Sequence, residues 1–377
     1  ASYQAWEEMK NDPSGPYQLF GWGNNLGYKQ LGFNDAVQRS SPTQLGGDDW
    51  AINESGLDYS QATTSFIKND GTYWVWGSNY NSGQLGQNQA TAQLDGVSSP
   101  TQIPGTTWDK VSGGDKSQLM TKTDGTLWSV GQNEQGALGD NTHINRSSPV
   151  QIGTATDWSG VKLAMSAQGS FAVKTDGTMW VWGSAWGGGL GLNSWVQRSS
   201  PTQLPGSYID ATNDGTKLAV KTDGTLWSWG YTGDGISGLN IRNGRYSSPT
   251  QIGTDSGWNS VYTSGTEAGS IKTDGTLWLW GNNGYAPLGQ NSQGDNRSSP
   301  TQVGTDTTWD KVALGAQYVI ATKTNGTLWS WGKNVNGGPL GQNNNGQNLS
   351  SPTQIGTDTN WAYPYIGADA GWALKEI

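Results

Sequence analysis

Residues 273–281 read Thr-Asp-Gly-Thr-Leu-Trp-Leu-Trp-Gly, and this short stretch recurs along the chain with little change. TDGTLW stands complete at Thr123–Trp128, Thr222–Trp227 and Thr273–Trp278, and variants place their Asx-Gly pair at Asp70, Asp176 and Asn325. The glycine that closes the strand falls at Gly23, Gly77, Gly131, Gly183, Gly230, Gly281 and Gly332, so successive copies lie 47 to 54 residues apart. The proline of a Ser-Ser-Pro step, at Pro42, Pro100, Pro149, Pro201, Pro249, Pro300 and Pro352, gives the same count of seven. A period of about 50 residues made of short alternating segments points to a propeller or a solenoid and makes the chain one array.

Within one unit, Trp309–Val312, Tyr318–Lys323, Thr327–Trp331 and the Pro-Thr-Gln-Val segment alternate apolar and polar residues, which predicts four strands. Asp or Asn followed by Gly between two such runs predicts a tight hairpin, read here as type I′. Tryptophans two residues apart project from one sheet face, while Leu and Ser project from the other. Four-stranded sheets of this kind bury that face only against the next sheet, and closing the row into a ring protects most strand edges. The expected fold is therefore all-β: a seven-bladed β-propeller of four-stranded antiparallel blades.

Seven closing glycines against six Asx-Gly pairs leave one hairpin missing, and the chain ends supply its halves. Gly367–Lys375 (GADAGWALK) matches Gly315–Lys323 (GAQYVIATK), and Leu19–Gly23 (LFGWG) matches Leu328–Gly332 (LWSWG). Residues 17–23 are thus predicted to pair antiparallel with residues 371–377 and close the ring. The chain divides into an N-terminal arm, 1–16, and the propeller, 17–377. Trp6 and Met9 of the arm are candidates for docking in a larger assembly.

Composition removes several classes of function. Of 377 residues, 14% are charged and the net charge is -9, which gives no electrostatic footprint for nucleic acid or an anionic membrane. There is no cysteine, hence no disulfide, thiolate metal site or cysteine nucleophile, and one histidine, His143, rules out multi-histidine metal cages. No run of 18 apolar residues occurs, and the first 30 residues lack a basic segment followed by an apolar one, so no membrane insertion and no signal peptide are expected. No metal and no cofactor are expected either. Plentiful Asn, Gln, Ser, Thr and Gly with little lysine suit an extracellular or virion surface setting.

Following the strands from turn to turn, one face of the ring carries tight hairpins. The other carries seven long connections that differ between blades, and variable loops on a rigid scaffold are where binding residues gather. The units resemble the regulator of chromosome condensation repeat family, on a DG hairpin, an aromatic-x-WG strand and a following GxLG, seen at Asp124–Gly131 with Gly136–Gly139. A histidine common in that family before the second strand is read as replaced by Ser117, Ser170 and Ser270, which resembles a bacterial or phage branch. The resemblance implies a seven-bladed ring used for protein recognition. Light-sensing members of the family carry a Gly-Trp-Arg-His-Thr motif, and none occurs here.

Of the 22 tryptophans, 18 recur by blade and read as core. Trp6, Trp186, Trp195 and Trp372 break the pattern, and Trp186 and Trp195 share one long loop, SAWGGGLGLNSWVQ. With Tyr28, Tyr80, Tyr231, Tyr246, Tyr285 and the unique His143 they form the candidate partner-binding set, since exposed aromatics make good anchors. Arg39, Arg146, Arg198, Arg245 and Arg297 recur before the Ser-Ser-Pro step and read as structural, bonded to loop carbonyls or a neighbouring blade's carboxylate. Nonrepeated acids such as Glu134, Asp234, Glu267 and Asp295 show no pairing that would make a glycosidase, no serine sits in a nucleophile elbow, and no catalytic residue is assigned. The expected function is a non-catalytic scaffold that recognises a protein or a glycan, as a surface or virion component. The alternative is a specific inhibitor or regulator that grips one protein through the long-loop face.

Overall fold

The computed structural model describes residues 16–377 apart from 28, 53–62, 80, 81, 89–92, 115, 161, 167, 168, 215, 336 and 368. Trp6, Met9, Tyr28 and Tyr80 therefore lie outside the described residues. Seven antiparallel sheets follow one another around a ring. Numbered by their closing strands, blade 3 holds Trp108–Gly114, Ser117–Lys122, Leu127–Gly131 and Arg146–Gln151, and blade 4 holds Lys162–Met165, Gly169–Val173, Met179–Gly183 and Arg198–Leu204. Blade 5 holds Tyr208–Asn213, Thr216–Lys221, Leu226–Tyr231 and Arg245–Gln251, and blade 6 holds Trp258–Thr263, Glu267–Lys272, Leu277–Gly281 and Arg297–Gln302. Blade 7 holds Trp309–Leu314, Tyr318–Lys323, Leu328–Gly332 and Leu349–Gln354. The first strands of successive blades touch around the axis, and the proline-bearing fourth strand forms the outer edge, where a missing N–H is tolerated. Among the described residues blade 2 has three strands, Thr63–Ile67, Tyr73–Asn79 and Gln93–Ile103, and a bridge between Trp50 and Lys68 marks the start of its inner edge.

Blade 1 is built from both ends of the chain. Tyr17–Gly23 pairs with Ala370–Glu376 from Tyr17↔Glu376 to Gly23↔Ala370, with Arg39–Gln44 outside and Trp361–Gly367 inside. The predicted clasp is present, its C-terminal partner set one residue earlier than 371–377. Trp372, outside the tryptophan pattern, is a core residue of this closing blade.

The hairpins differ from the type I′ expectation. Gly125 donates to the Lys122 carbonyl and Lys122 to the Thr126 carbonyl, and only the glycine has positive φ. That is a type I turn followed by a left-handed residue. The reason lies in the aspartate: Asp124 Oδ1 accepts from both the amide and the hydroxyl of Thr126, which holds Asp124 in a right-handed conformation. The aspartates are turn formers, as their repetition implied.

Tryptophan fastens blade to blade. The indoles of Trp22, Trp76, Trp182, Trp229, Trp280 and Trp331 each donate to a carbonyl in the preceding blade's loop, at Pro339, Gln30, Ala137, Gly189, Ile236 and Pro287. In blade 3 valine stands in that place, and Gln118, paired across from Val130, sends its amide to the Gln84 carbonyl instead. A second set of links runs between loops. Asn34, Asn88, Asn141, Asn193, Asn240, Asn291 and Asn343, all with positive φ, donate their amides to serine carbonyls of the next blade's outer strand at 2.7 to 2.8 Å.

Candidate functional site

Five of the seven long loops are organised alike. A buried asparagine, Asn25, Asn79, Asn133, Asn283 or Asn334, accepts the amide of the leucine in the loop's Leu-Gly step. In blades 4 and 5 that asparagine is replaced by Ala185 and Thr232, and both loops open on a single 3-10 turn, Trp186–Gly188 and Gly233–Gly235. The aromatics adjacent to these two positions lie on the surface. Trp186 is 54% exposed and Tyr231 39%.

These two rings meet across the blade junction with centroids 5.8 Å apart, and the Arg245 guanidinium lies 4.9 Å from the Trp186 ring. Ser184 Oγ accepts the Trp186 amide, the Thr216 hydroxyl donates to the Tyr231 carbonyl, and Tyr231 faces Arg245 in the strand register. Gly188 packs where a Cβ would strike the backbone of Tyr246 and Ser247, so the loop seats against the next blade only with glycine there. The product is a fixed aromatic pair capped by a cation.

The sequence candidates separate into groups. Trp186 and Tyr231 are brought together, and Tyr246 lies half-buried beside them, opposite Gly230. Trp195, 58% exposed, and Val196 sit later in the same loop, with no ring against Trp195 among the described residues. Tyr285 is separate, at the junction of blades 6 and 7, where Lys333 lies 5.8 Å from its ring. His143 is exposed in the blade 3 loop. Arg245 in its surface role was missed, because repetition hid it among structural arginines. Of those, Arg39 and Arg146 pair with Asp35 and Asp140 of their own loops, and Arg198 bonds the Gln197 carbonyl, so the partners are local and not in a neighbouring blade.

Buried charge lies beneath and beside this patch. Burial lowers the Lys217 ammonium to about 8 against the opposing pull of Asp214, and its Nζ donates to the Asp214 carbonyl. Glu267 is 1% exposed; burial raises its carboxyl to about 7, the Ser264 hydroxyl opposes this, and the Asp214 charge adds to it. Glu267 faces Gly281, and the equivalent partners of the closing glycines are Ser117, Gly169, Thr216, Tyr318, Ala370 and Thr63. Ser170 and Ser270 are therefore one and three positions beyond the place given them by the sequence reading, which Gly169 and Glu267 occupy. Among the described residues no cluster of three or more metal-ligating side chains forms, and no helix is long and apolar enough to cross a membrane.

Residues 124–173 and 274–322 match the regulator of chromosome condensation (RCC1) repeat. The chain thus carries two segments similar to that repeat, set in blades 3–4 and 6–7 of a seven-bladed ring. It is similar to the ultraviolet-B receptor UVR8 of Arabidopsis thaliana, 26% identical over 200 residues, covering 52% of this chain and 43% of the receptor. It is also similar to the mitochondrial RCC1 domain-containing protein RUG3 of the same plant, 26% identical over 191 residues, covering 49% of this chain and 42% of RUG3. The matched segment spans less than half the length of each relative, and both are eukaryotic, which lends no support to a bacterial or phage branch. Among solved structures, Prp20p of Saccharomyces cerevisiae superimposes with a TM-score of 0.82 at 17% identity, over 97% of this chain and 92% of that one. Human WBSCR16 gives 0.77 at 20% identity, over 96% and 99%. These structures share the fold.

Proposed function

We propose that the chain is a non-catalytic, protein-binding or regulatory scaffold whose recognition surface is the long-loop face at blades 4 and 5. The observation that carries this reading is the exposed Trp186–Tyr231 pair with Arg245 against it, since tryptophan, tyrosine and arginine dominate binding hot spots. Trp195 and Val196 extend the apolar surface along the same loop. The Prp20p structure is described together with its binding to Gsp1p and histones, which supports protein as the partner class. One ring pair with a cation against it on this face, among the described residues, in place of seven equivalent ones, favours the inhibitor or regulator form of the reading, with one partner held by one junction. The lysine-poor, cysteine-free composition supports an extracellular or virion setting, in which the patch serves assembly.

The test is capture of partners by the wild-type chain and by the Trp186→Ala/Tyr231→Ala variant, with Tyr285→Ala as a surface control. Loss in the double variant alone is the expected result. Equal capture by all three overturns the assignment, and loss of a glycan in place of a protein changes the partner class.

A further inference from the structure

Each blade carries a lysine at the end of its second strand: Lys68, Lys122, Lys174, Lys221, Lys272, Lys323 and Lys375. Its ammonium lies 3.5 to 5.9 Å from the centroids of two aromatic rings, one from the inner strand or the segment leading into it and one from the closing strand. In five blades the same ammonium bonds a carboxylate from the link that enters the blade: Asp49, Asp157, Asp255, Asp306 or Asp358. The link into blade 3 is Pro104-Gly105-Thr106-Thr107 and has no acid. Lys122 keeps its rings, at 3.9 Å from Trp128 and 4.7 Å from Trp108, and, with only the turn residue Asp124 acting on it through charge, makes no ion pair with a link carboxylate among the described residues.

A second irregularity falls at the same junction. The residue after the loop's Leu-Gly step is glutamine in three loops. Gln290 donates its amide to the Leu288 and Gln302 carbonyls, and Gln342 to Ser330 Oγ and the Thr353 carbonyl. Gln87, half-buried, occupies this place one blade ahead of Lys122, and its Nε2 has no acceptor among the described residues. The two meet in one groove of about 480 Å³ between blades 2 and 3, lined by Gln87, Asn88, Gln102, Trp108, Lys122 and Trp128 among others. Blade 5 also lacks the aspartate, its link being Pro205-Gly206-Ser207, but there Leu192 stands where Gln87 would be.

We propose that this groove binds a small hydroxycarboxylate of sugar-acid size. Its carboxylate takes the place that the link aspartate holds in five other blades, and a hydroxyl oxygen accepts from Gln87 Nε2. A charge-assisted bond from an ammonium already held between two rings supplies the main attraction, and the volume suits a ligand of that size.

Titration of the ¹⁵N-labelled chain with D-glucuronate, glucose and acetate, read at the indole N–H signals of Trp108 and Trp128, tests this. Glucuronate is expected to shift both signals and glucose to shift neither, while acetate binds more weakly. Thr107→Asp restores the carboxylate at the position of Asp49 and Asp157. It is expected to weaken glucuronate binding roughly tenfold or more with the fold intact, as is Lys122→Gln, whereas Lys221→Gln leaves it unchanged. No shift with glucuronate, equal shifts with glucose, or undiminished binding by Thr107→Asp overturns the site. Equal affinity for acetate overturns the role of Gln87.

Discussion

The hairpin side and the long-loop side of the ring are made by the same seven repeats and solve different problems. On the hairpin side side chains recur in register: the Asx residue holds the turn, the next threonine accepts the indole N–H, and a lysine lies between two rings. On the long-loop side the contact found at all seven junctions is backbone to backbone, an asparagine amide to a serine carbonyl. Where the repeated contact uses side chains, the side chains are constrained. Where it uses the main chain, the residues between are free to differ, and two loops have used that freedom to expose Trp186 and Tyr231.

The largest expected effect tests the ring that both sides share. Removing residues 371–377 deletes buried Trp372, Ala373 and Leu374 and most of a paired strand, and should cost more than about 5 kcal/mol, enough to abolish a single cooperative melt. An unchanged melting curve would break the closure. Next, Trp331→Ala, which removes a fully buried ring and its bond to Pro287, should cost about 3–5 kcal/mol in urea unfolding, whereas Trp186→Ala should stay within about 0.5 kcal/mol. Similar losses for both would erase the distinction between framework and surface tryptophan.

The two sides should also respond to pH in opposite senses. Burial pushes the Asp306 carboxyl up, but the Lys323 ammonium and Thr308 together outweigh it and hold it at about 2, so its contribution is present above the unfolded value near 3.9 and is lost as pH falls towards 2. Glu267, raised to about 7, binds its proton more tightly folded than unfolded, so its contribution is present below about 4.3 and is lost as pH rises to about 7. Glu267→Gln should therefore gain on the order of 2–3 kcal/mol relative to wild type at pH 8 and little at pH 4, measured by denaturant melts. A gain equal at both pH values would contradict the buried-acid account. A smaller loss is expected at the backbone link: Asn240→Ala should cost about 1–2 kcal/mol, and Asn240→Gly less, because glycine keeps the positive φ.

Periodicity made the ring, the blade count and the clasp legible, since each depends on residues that recur at fixed spacing. Turn type was not legible, because the Asp-Gly pair is shared by two hairpin geometries and the Thr126 hydroxyl that chooses between them lies outside the pair. The exposed loop aromatics Trp186 and Trp195 were found as breaks in the repeat. That Trp186 meets Tyr231, 45 residues on, and not Trp195 in its own loop is set by how the 3-10 turn seats on the next blade. The exchange of Trp for Val130 with rescue by Gln118 was hidden for the same reason, being a pairing across strands.

The most direct test of the long-loop face uses the absence of cysteine. A single cysteine at exposed Gln197, beside Trp195, or at exposed Thr305, in a link on the hairpin side, can carry a bulky thiol label with no background reaction. Affinity for the captured partner should fall at least tenfold with the label at position 197 and stay unchanged with it at position 305. Unchanged affinity at 197 with loss at 305 would place recognition on the hairpin side and contradict the account.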